Sequence, residues 1–384
     1  MHFQLTEEHK MIVQAARDFA RQQCLPGVIE RDEHQKFPKE QVMQLAELGF
    51  MGLMVDPKYG GAGMDTISYV LAMEEISKID ASVSVCMSVN NSLVCWGLEA
   101  YGNEDQKQKY LVPLAQGRKD GELYIGAFLL SEPEAGSDAT SQRTTAEDKG
   151  DHYLLNGTKN WITNGNSASV YLVMAQTDPA RGSKGITTFI VEKNWPGVTV
   201  GAKENKMGIR ASDTHSILFN DVKVPKENII GEVGFGFTFA MKTLAGGRIG
   251  IAAQALGIAS GAYEMALEYS KQRKAFGKEI MNHQAIQFKL ADMATRVEAA
   301  RLLCLRSAWE KDNGIDYTLS SSMAKVFASE AAMWVSTEAV QVHGGYGYVK
   351  EYHVERLMRD AKITQIYEGT SEVQRIVIGR QILR

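Results

Sequence analysis

The sequence predicts a mainly α-helical α+β protein built from three consecutive domains. Helical patterns fill the first part of the chain, alternating β-branched runs follow, and helical patterns then return to the end. This order differs from the strand–helix alternation of a Rossmann design, and no G-x-G-x-x-G motif follows a strand. We therefore expect an N-terminal helical domain at 1–120, a central antiparallel β domain at 121–231 and a C-terminal four-helix bundle at 232–384.

The N-terminal domain begins with a strong helix signal. Thr6 is a suitable N-cap, because its hydroxyl can accept a hydrogen bond from the first helical turn. The apolar face of the helix that follows comprises Ile12, Ala15, Ala16, Phe19 and Ala20. A further helix is expected from Lys39 to Leu48, ending at Gly49.

The central domain is indicated by β-branched runs that are separated by turn dipeptides. Two of the runs are 170–174 and 186–191, and Asn156-Gly157 and Asn164-Gly165 are typical turn signals. The clearest helical stripe beyond residue 232 consists of Ile286, Leu290, Met293, Val297 and Ala300. The weakly polar stretch 249–263 is too short to span a bilayer, so we expect no membrane insertion.

Charge, cysteine usage and the first residues limit the functions and locations to be expected. The net charge of −4 arises from 46 acidic and 42 basic residues that are mixed along the chain, which disfavours nucleic-acid binding. Cys24, Cys86, Cys95 and Cys304 lack C-x-x-C spacing, and free buried thiols are expected rather than two disulfides. The first residues resemble neither a signal nor a transit peptide, so a cytoplasmic location is expected, or the mitochondrial matrix for a processed eukaryotic form.

Common catalytic motifs are missing from the sequence. It contains no G-x-x-x-x-G-K-[ST], H-E-x-x-H or G-x-S-x-G, and its eight histidines are scattered. We expect no metal site. Glycine-rich and hydroxyl-bearing segments remain at 131–138, 161–165 and 341–348, and periodicity alone describes each of them as a turn.

Together with Tyr367-Glu368-Gly369-Thr370-Ser371-Glu372, these three segments resemble the signature motifs of the acyl-CoA dehydrogenase family, in the family's order. Segments 57–63, 207–210 and 272–277 also match, so the resemblance spans nearly the whole chain. It implies the acyl-CoA dehydrogenase fold, FAD as the cofactor, and conversion of an acyl-CoA to a trans-2-enoyl-CoA.

The resemblance implies that Glu368 is the catalytic base. It would remove a proton from carbon 2 of the thioester while a hydride leaves carbon 3 for the flavin N5 atom. A carboxylate suits this role if partial burial raises its pKa towards neutrality. The backbone N–H of Glu368 would also bind the thioester carbonyl. In itself a glutamate before a helix is more often only a solvated acid.

Further site residues follow from the same resemblance. The flavin would be bound by two groups of residues, one of which holds its pyrophosphate and adenosine across a subunit interface. The first group comprises Phe128, Leu130, Ser131, Trp161 and Thr163, and the second Arg273, Phe276, Gln341, Gly344, Gly345, Thr370 and Glu372. Sharing of the cofactor implies a homo-oligomer, and the family suggests a tetramer.

The acyl-CoA itself would meet a third set of residues, namely Ser137, Gly247, Arg248, Tyr367 and Gly369. Ala245 stands where many members carry an aspartate, so that side chain's contact with CoA is lost. Isovaleryl-type members carry the base at the position of Gly247, which here cannot act as one. Gly247 instead resembles short-chain, butyryl-type members, and Val85, Met87 and Val89 could make the acyl pocket shallow.

Several alternatives stay open at this point. A 2-methyl-branched acyl-CoA is the next substrate to consider. An acyl-CoA oxidase would use the same base but would let oxygen reoxidise the flavin, whereas a dehydrogenase passes electrons to electron-transferring flavoprotein. A catalytically silent member that serves as a binding or assembly protein is the non-enzyme alternative.

Overall fold

The structure, a computed structural model, describes residues 4–383. Its N-terminal part is helical. The helices are α1 Glu7–Phe19, α2 Val28–Glu33, α3 Lys39–Glu47, α4 Thr66–Ser77, α5 Ala81–Ser88, α6 Trp96–Tyr101, α7 Glu104–Gln106 and α8 Val112–Gln116. Thr6 caps α1, since its side chain accepts from the His9 backbone N–H at 3.1 Å. The expected cap and the expected helix from Lys39 are confirmed.

The segment Ala81–Tyr101 is one helical run with a π-helical part, Val89–Cys95, between α5 and α6. Two buried amides hold this wider turn. Asn90 donates to the carbonyls of Met51 and Leu114, and Asn91 donates to that of Phe50. The run has the length and mean hydropathy of a membrane span, but 94% of its apolar window is buried inside the protein. It is therefore a core helix of this fold.

The central part contains a seven-stranded sheet after a short hairpin of β1 Arg118–Lys119 and β2 Glu122–Leu123. The strands of the sheet are β3 Gly126–Leu129, β4 Thr145–Asp148, β5 His152–Thr163, β6 Val170–Gln176, β7 Ile186–Glu192, β8 Val198–Lys203 and β9 Thr214–Pro225. Their order is β3-β6-β4-β5-β9-β8, with β7 paired to β6. Most pairings are antiparallel as expected. The sequence did not indicate that β3 and β6 run parallel, in the register Gly126 opposite Val170, or that β4 meets β6 in the same sense.

The C-terminal part returns to long helices after a surface hairpin, β10 Lys274–Ala275 and β11 Lys278–Glu279. The helices are α9 Gly236–Gln272, α10 Gln284–Asp312, α11 Thr318–His343, α12 His353–Ile363 and α13 Ser371–Ile382. The stripe expected on α10 faces the core: Leu290, Met293, Val297 and Ala300 are buried and Ile286 is partly buried. The mainly helical α+β fold is thus confirmed, and all four cysteines are free and buried.

A buried charged junction joins the three parts of the chain. Arg359 on α12 pairs with Asp32 of α2 at 2.8 Å, and the next residue, Asp360, accepts a hydrogen bond from the backbone N–H of Ile209 between β8 and β9. Burial raises the pKa of Asp360 to about 6, although Arg356 opposes this shift. A Cβ at Gly208 would lie 2.3 Å from the Arg359 carbonyl oxygen, so only glycine allows this approach. The helix α12 is therefore fixed against both other parts of the chain.

Candidate active site

Glu368 lies in the short connection between α12 and α13. Its backbone is left-handed, with φ 51°, and that of Gly369 has φ 94°. Left-handed backbone is unusual for a residue other than glycine, asparagine or aspartate, and it is typical of functional sites. Thr370 then starts α13 as an N-cap, because its side chain accepts from the Val373 N–H at 3.2 Å.

The left-handed turn directs the Glu368 side chain onto the middle of α9. A Cβ atom added at Gly247 would lie 2.2 Å from Glu368 Oε2 and 2.7 Å from Leu93 Cδ2. The carboxylate and Leu93 thus occupy the space above a helix surface that only glycine leaves open. Three sequence-expected residues, Glu368, Gly247 and Gly369, are brought together here.

The Glu368 carboxylate is held in a poorly solvated environment. Its Oε2 atom is buried and, among residues 4–383, has no hydrogen-bond partner. Burial therefore raises the pKa of Glu368 to about 7, and the nearby cations Lys325 and Arg248 limit the rise. A carboxylic acid with this pKa holds or releases its proton near neutral pH.

Arg248 lies one residue beyond Gly247 on α9 and is itself buried. Burial lowers the pKa of its guanidinium, and the Glu368 carboxylate opposes that shift. Its Nη1 donates to Ser322 Oγ at 3.3 Å, whereas its Nε has no partner within the described chain. A cleft of about 490 Å³ opens beside it, lined in part by Trp96, Ala245 and Tyr317.

Two tyrosines, Tyr367 and Tyr69, lie beside α9 near Gly247. Tyr367 donates its hydroxyl to Gln254 of α9, whose amide in turn donates to the Ala81 carbonyl at 2.8 Å. The hydroxyl of Tyr69 on α4 donates to Ser88 at 2.9 Å, and a Cβ at Gly250 would lie 2.5 Å from it. Tyr69 therefore closes the space one helical turn beyond Gly247.

A second cluster lies on the sheet. β3 leads to Leu130 and Ser131, and the Ser131 carbonyl accepts from the Asn160 N–H at 2.9 Å, next to Trp161 on β5. Trp161 has φ 61° and is 59% exposed. So much exposure is unusual for a tryptophan, which is normally largely buried. The structure thus places side by side two of the segments that the resemblance assigns to flavin binding.

Phe128 and Thr163 belong to the same strands, at the end of β3 and the end of β5. Phe128 is half-buried and stacks on Phe239 of α9 with a ring separation of 6.4 Å. Thr163 is half-buried and pairs with Thr214 across the β5–β9 ladder. The Phe128 side chain therefore lies on the side of the sheet that faces α9.

A buried ion pair supports the Ser131 segment. Lys159 Nζ donates to the Leu130 carbonyl at 3.0 Å, to Glu132 at 2.7 Å and to Gln142 at 3.0 Å. Lys159 is fully buried, and burial lowers the pKa of its ammonium to about 8 against the opposing effect of Glu132. The cluster was not expected from the sequence, because nothing in the pattern at 159 separates it from a solvated lysine.

The remaining expected cofactor residues lie at the surface. Arg273, Phe276, Gln341, Gly344 and Gly345 are exposed, near the ends of α9 and α11. No hydrogen bond or ion pair connects them to Glu368 within residues 4–383. Phe276 is 95% exposed with φ 52°. Ser137 and Glu372 are likewise exposed, and Thr370 is partly buried.

These residues fit the FAD that the resemblance implies. The exposed Trp161 offers a ring face for a planar group. The guanidinium of Arg273 lies over the Tyr346 ring at 5.6 Å and has no carboxylate partner in the described chain, so it is available for a phosphate. The N-terminus of α13 carries the buried, unpartnered hydroxyl of Ser371. The chain thus offers groups that can bind the planar ring, the phosphates and the hydroxyls of FAD.

Sequence reasoning missed four residues around Glu368: Tyr69, Gln254, Lys325 and Gln374. All four are buried polar side chains within helices. The only signal that could have found them is a polar residue at an otherwise apolar helical position, and many core serines in the chain give the same signal. Their roles depend on contacts between distant parts of the sequence.

Comparison with known proteins identifies the family. Three family models match successive parts of the chain: the acyl-CoA dehydrogenase N-terminal domain at 6–118, the middle domain at 127–222 and the C-terminal domain at 234–383. A short-chain specific acyl-CoA dehydrogenase of Clostridium acetobutylicum is 49% identical over the full length of both chains.

Solved structures agree with these matches. The butyryl-CoA dehydrogenase of Megasphaera elsdenii is 50% identical and has a TM-score of 0.97, with full coverage of both chains. A chain in a structure that describes the electron transferring flavoprotein of Acidaminococcus fermentans is also 50% identical, with a TM-score of 0.98 and the same coverage. An FAD complex of PigA, 29% identical with a TM-score of 0.94, covers 100% of this chain. The chain therefore belongs to the acyl-CoA dehydrogenase family, and it is an FAD-dependent acyl-CoA dehydrogenase.

Proposed function

We propose that the enzyme oxidises a short, straight-chain acyl-CoA to the trans-2-enoyl-CoA, with Glu368 as the base and electron-transferring flavoprotein as the acceptor. The observation that carries the assignment of the base is the position of the Glu368 carboxylate, buried against Gly247 with a pKa raised to about 7. Within this family the bound FAD supplies the hydride acceptor.

The proton is taken by Glu368 in its ionised form. An acyl thioester is a weak carbon acid, so a carboxylate with its pKa near neutrality is a better base than a solvated one, yet it is half ionised at pH 7 and mostly ionised above it. Its unpartnered Oε2 is free to receive the proton. The positive charges of Lys325 and Arg248 favour the ionised carboxylate and so limit the rise of its pKa.

The negative charge that develops on the thioester oxygen needs a donor. Among residues 4–383, the backbone N–H of Glu368 donates no hydrogen bond, although it lies in the same turn as the base. It is therefore available to the thioester carbonyl, where a donor stabilises the enolate-like state more than the ground state. Tyr367 and Gly369 would flank the thioester in this arrangement.

Chain length follows from the floor of the pocket. Gly250, which contacts Tyr69, lies three residues beyond Gly247 on α9, a distance of about 4.5 Å along a helix axis. Tyr69 and Ser88 thus limit the acyl group to a few carbons past the base. Val85, Met87 and Val89 are buried on the neighbouring helical run, and in this proposal they would make the pocket shallow. A 2-methyl-branched acyl-CoA is the second candidate.

The CoA portion would leave through the cleft beside Arg248, and the resemblance adds the exposed Ser137 to its contacts. Ala245 lines this cleft and offers no carboxylate to the pantetheine. Recognition there would depend on Arg248 and on backbone groups. The CoA residues, like the flavin residues, are proposals that rest on the resemblance and on these positions.

Electron-transferring flavoprotein is supported as the partner by the matching chain in the structure that describes such a flavoprotein. The alternative acceptor is oxygen, in which case the enzyme would be an acyl-CoA oxidase. The silent, non-enzyme reading is set aside, because the family and the matched relatives are named as dehydrogenases. Four free, buried cysteines agree with a reducing compartment, and we propose the cytoplasm.

The decisive test is an anaerobic titration of the purified holoenzyme with butyryl-CoA, following the long-wavelength absorbance of the flavin. Bleaching is expected for the wild type, and Glu368→Gln should keep FAD and bind the ligand without bleaching. A failure of every acyl-CoA to bleach the wild type would overturn the proposal. Rapid return of colour in air, without added electron-transferring flavoprotein, would favour the oxidase.

A further inference from the structure

Two consecutive left-handed residues carry the base. Glu368 at φ 51° is followed by Gly369 at φ 94°. A left-handed glutamate costs about 1 kcal/mol or more relative to an ordinary conformation, so neighbouring groups must fix it.

Two buried side chains meet those carbonyls. Lys325 of α11 donates from Nζ to the Gly369 carbonyl at 2.6 Å. Gln374 of α13 donates from Nε2 to the Glu368 carbonyl at 3.1 Å and to that of Gly369 at 3.0 Å. Both donors are 0% exposed. The turn is therefore clamped from two helices, one on each side of it in the sequence.

The clamp is sterically tight. A Cβ on Gly369 would lie 2.4 Å from Gln374 Nε2, so the amide can reach both carbonyls only because residue 369 has no side chain. The Oε1 atom of Gln374 has no partner within residues 4–383. A buried amide oxygen without a partner lowers the stability of the fold, and the two hydrogen bonds that the amide nitrogen donates offset that cost.

Lys325 contributes charge as well as a hydrogen bond. Burial lowers the pKa of its ammonium to about 8, Glu368 and Glu372 oppose that shift, and Arg248 adds to it. A neutral side chain could satisfy one carbonyl at much lower desolvation cost. A buried ammonium is useful where an anion must be kept in the same pocket, and Glu368 is that anion.

We propose that Lys325 and Gln374 are positioning residues for the base: together they lock the turn at Glu368 and Gly369, and Lys325 also supplies positive charge to the pocket in which the carboxylate lies against Gly247. Neither residue touches the reacting atoms. This inference rests on the proposed role of Glu368, and its tests are designed to separate the two.

The first variant is Lys325→Met, which removes the charge and the donor while keeping the length of the side chain. We expect at least a tenfold lower rate of anaerobic flavin reduction, and a pH midpoint for that rate about one unit above the wild-type value, because the carboxylate loses one of its two nearby cations. Lys325→Arg should restore the midpoint, and part of the rate. The exposed Lys271→Met is the matched control and should behave as the wild type.

The second variant is Gln374→Met, which removes the two hydrogen bonds without changing any charge. The rate should fall, but the pH midpoint should stay at the wild-type value. This difference distinguishes positioning by hydrogen bonds from electrostatic support. It also keeps the idea testable if Lys325→Met does not fold, which FAD content and melting temperature would reveal.

The outcomes are distinct. If the wild type itself is not reduced by any acyl-CoA, the proposed function fails. If the wild type is reduced and folded Lys325→Met keeps both its rate and its pH midpoint, the role of Lys325 is overturned. An unchanged rate in folded Gln374→Met would overturn the role of the amide.

Discussion

The carboxylate of Glu368 occupies the space that a side chain at Gly247 would need, with 2.2 Å between Oε2 and an ideal Cβ at that glycine. The two residues are 121 positions apart in the sequence, and each explains the other. The glycine leaves room for the acid, and the acid covers a gap on α9 that would otherwise be filled by an apolar side chain. The catalytic geometry is therefore determined jointly by α9 and by the turn before α13.

Gly247→Ala should displace the base without unfolding the protein. The atoms in conflict, Glu368 Oε2 and Leu93 Cδ2, are the ends of flexible side chains that can rotate away, and we expect a loss of roughly tenfold to a hundredfold in the rate of anaerobic flavin reduction. Gly246→Ala is the matched control, because its Cβ would find its nearest neighbours at 3.8 Å. Stopped-flow absorbance measures both, and equal rates in the two variants would contradict this account.

The pH dependence of kcat/KM should report Glu368. Because the base must be ionised and its pKa is raised to about 7, the value should rise about tenfold per pH unit below 7 and level off above it. A profile that is already flat at pH 5.5 would show that the acid is solvated, and the burial argument would then be wrong.

Glu368→Gln should make the protein more stable in alkali. A folded pKa above the unfolded value of about 4.3 means that the unfolded chain loses its proton first as pH rises, so wild-type stability declines between about pH 4 and pH 7. The amide removes that penalty, although it also leaves Lys325 without its anion. We expect a melting temperature roughly 2 °C above the wild type at pH 8, and a smaller gain at pH 5.5. A larger gain at the lower pH would have the wrong sign.

Lys159→Met should weaken both stability and flavin retention. It leaves Glu132 buried without its cation, which typically costs about 3 to 5 kcal/mol, and it releases the Leu130 carbonyl next to Ser131. Urea unfolding and the ratio of bound flavin to protein measure the two effects. In Lys159→Met with Glu132→Gln, stability should partly recover, since no unpaired charge remains; a double variant no better than the single one would argue against the ion pair.

Tyr69→Phe should lengthen the preferred substrate. The hydroxyl lies 2.5 Å from the position that a Cβ of Gly250 would take, so its removal opens about one atom of depth at the proposed pocket floor. We expect the ratio of kcat/KM for hexanoyl-CoA over butyryl-CoA to rise about threefold to tenfold, within the range for one methylene. Tyr171→Phe is a control in the sheet, and an equal change there would remove Tyr69 from the pocket.

Phe276→Asp tests the proposed assembly. A phenylalanine that is 95% exposed on the β10–β11 hairpin gains nothing from solvent, and the resemblance assigns it to a cofactor shared across subunits. The variant should sediment as a smaller species and lose FAD on dilution, with an unchanged circular dichroism spectrum. A tetramer that retains FAD would show that this side chain lies outside the interface.

The sequence was informative where short-range rules apply. Thr6 as a cap, the helix from Lys39 and the apolar stripe on α10 follow from local chemistry. The parallel pairing of β3 with β6 could not be derived, because no short-range signal fixes which distant strands meet. The site divides in the same way: Glu368 was recognisable from its motif, whereas Tyr69, Lys325 and Gln374 acquire their roles only through contacts between helices.

The salt bridge between Arg359 and Asp32 gives the N-terminal part of the chain an influence over a reaction that it does not touch. The helix that carries Arg359 ends five residues before Glu368. The position of the base therefore depends on a helix that is fixed by its salt bridge to α2. A newly made chain in which α2 has not docked would lack a correctly placed base. Turnover would then begin only after the whole chain is assembled, which makes activity a sensitive measure of complete folding.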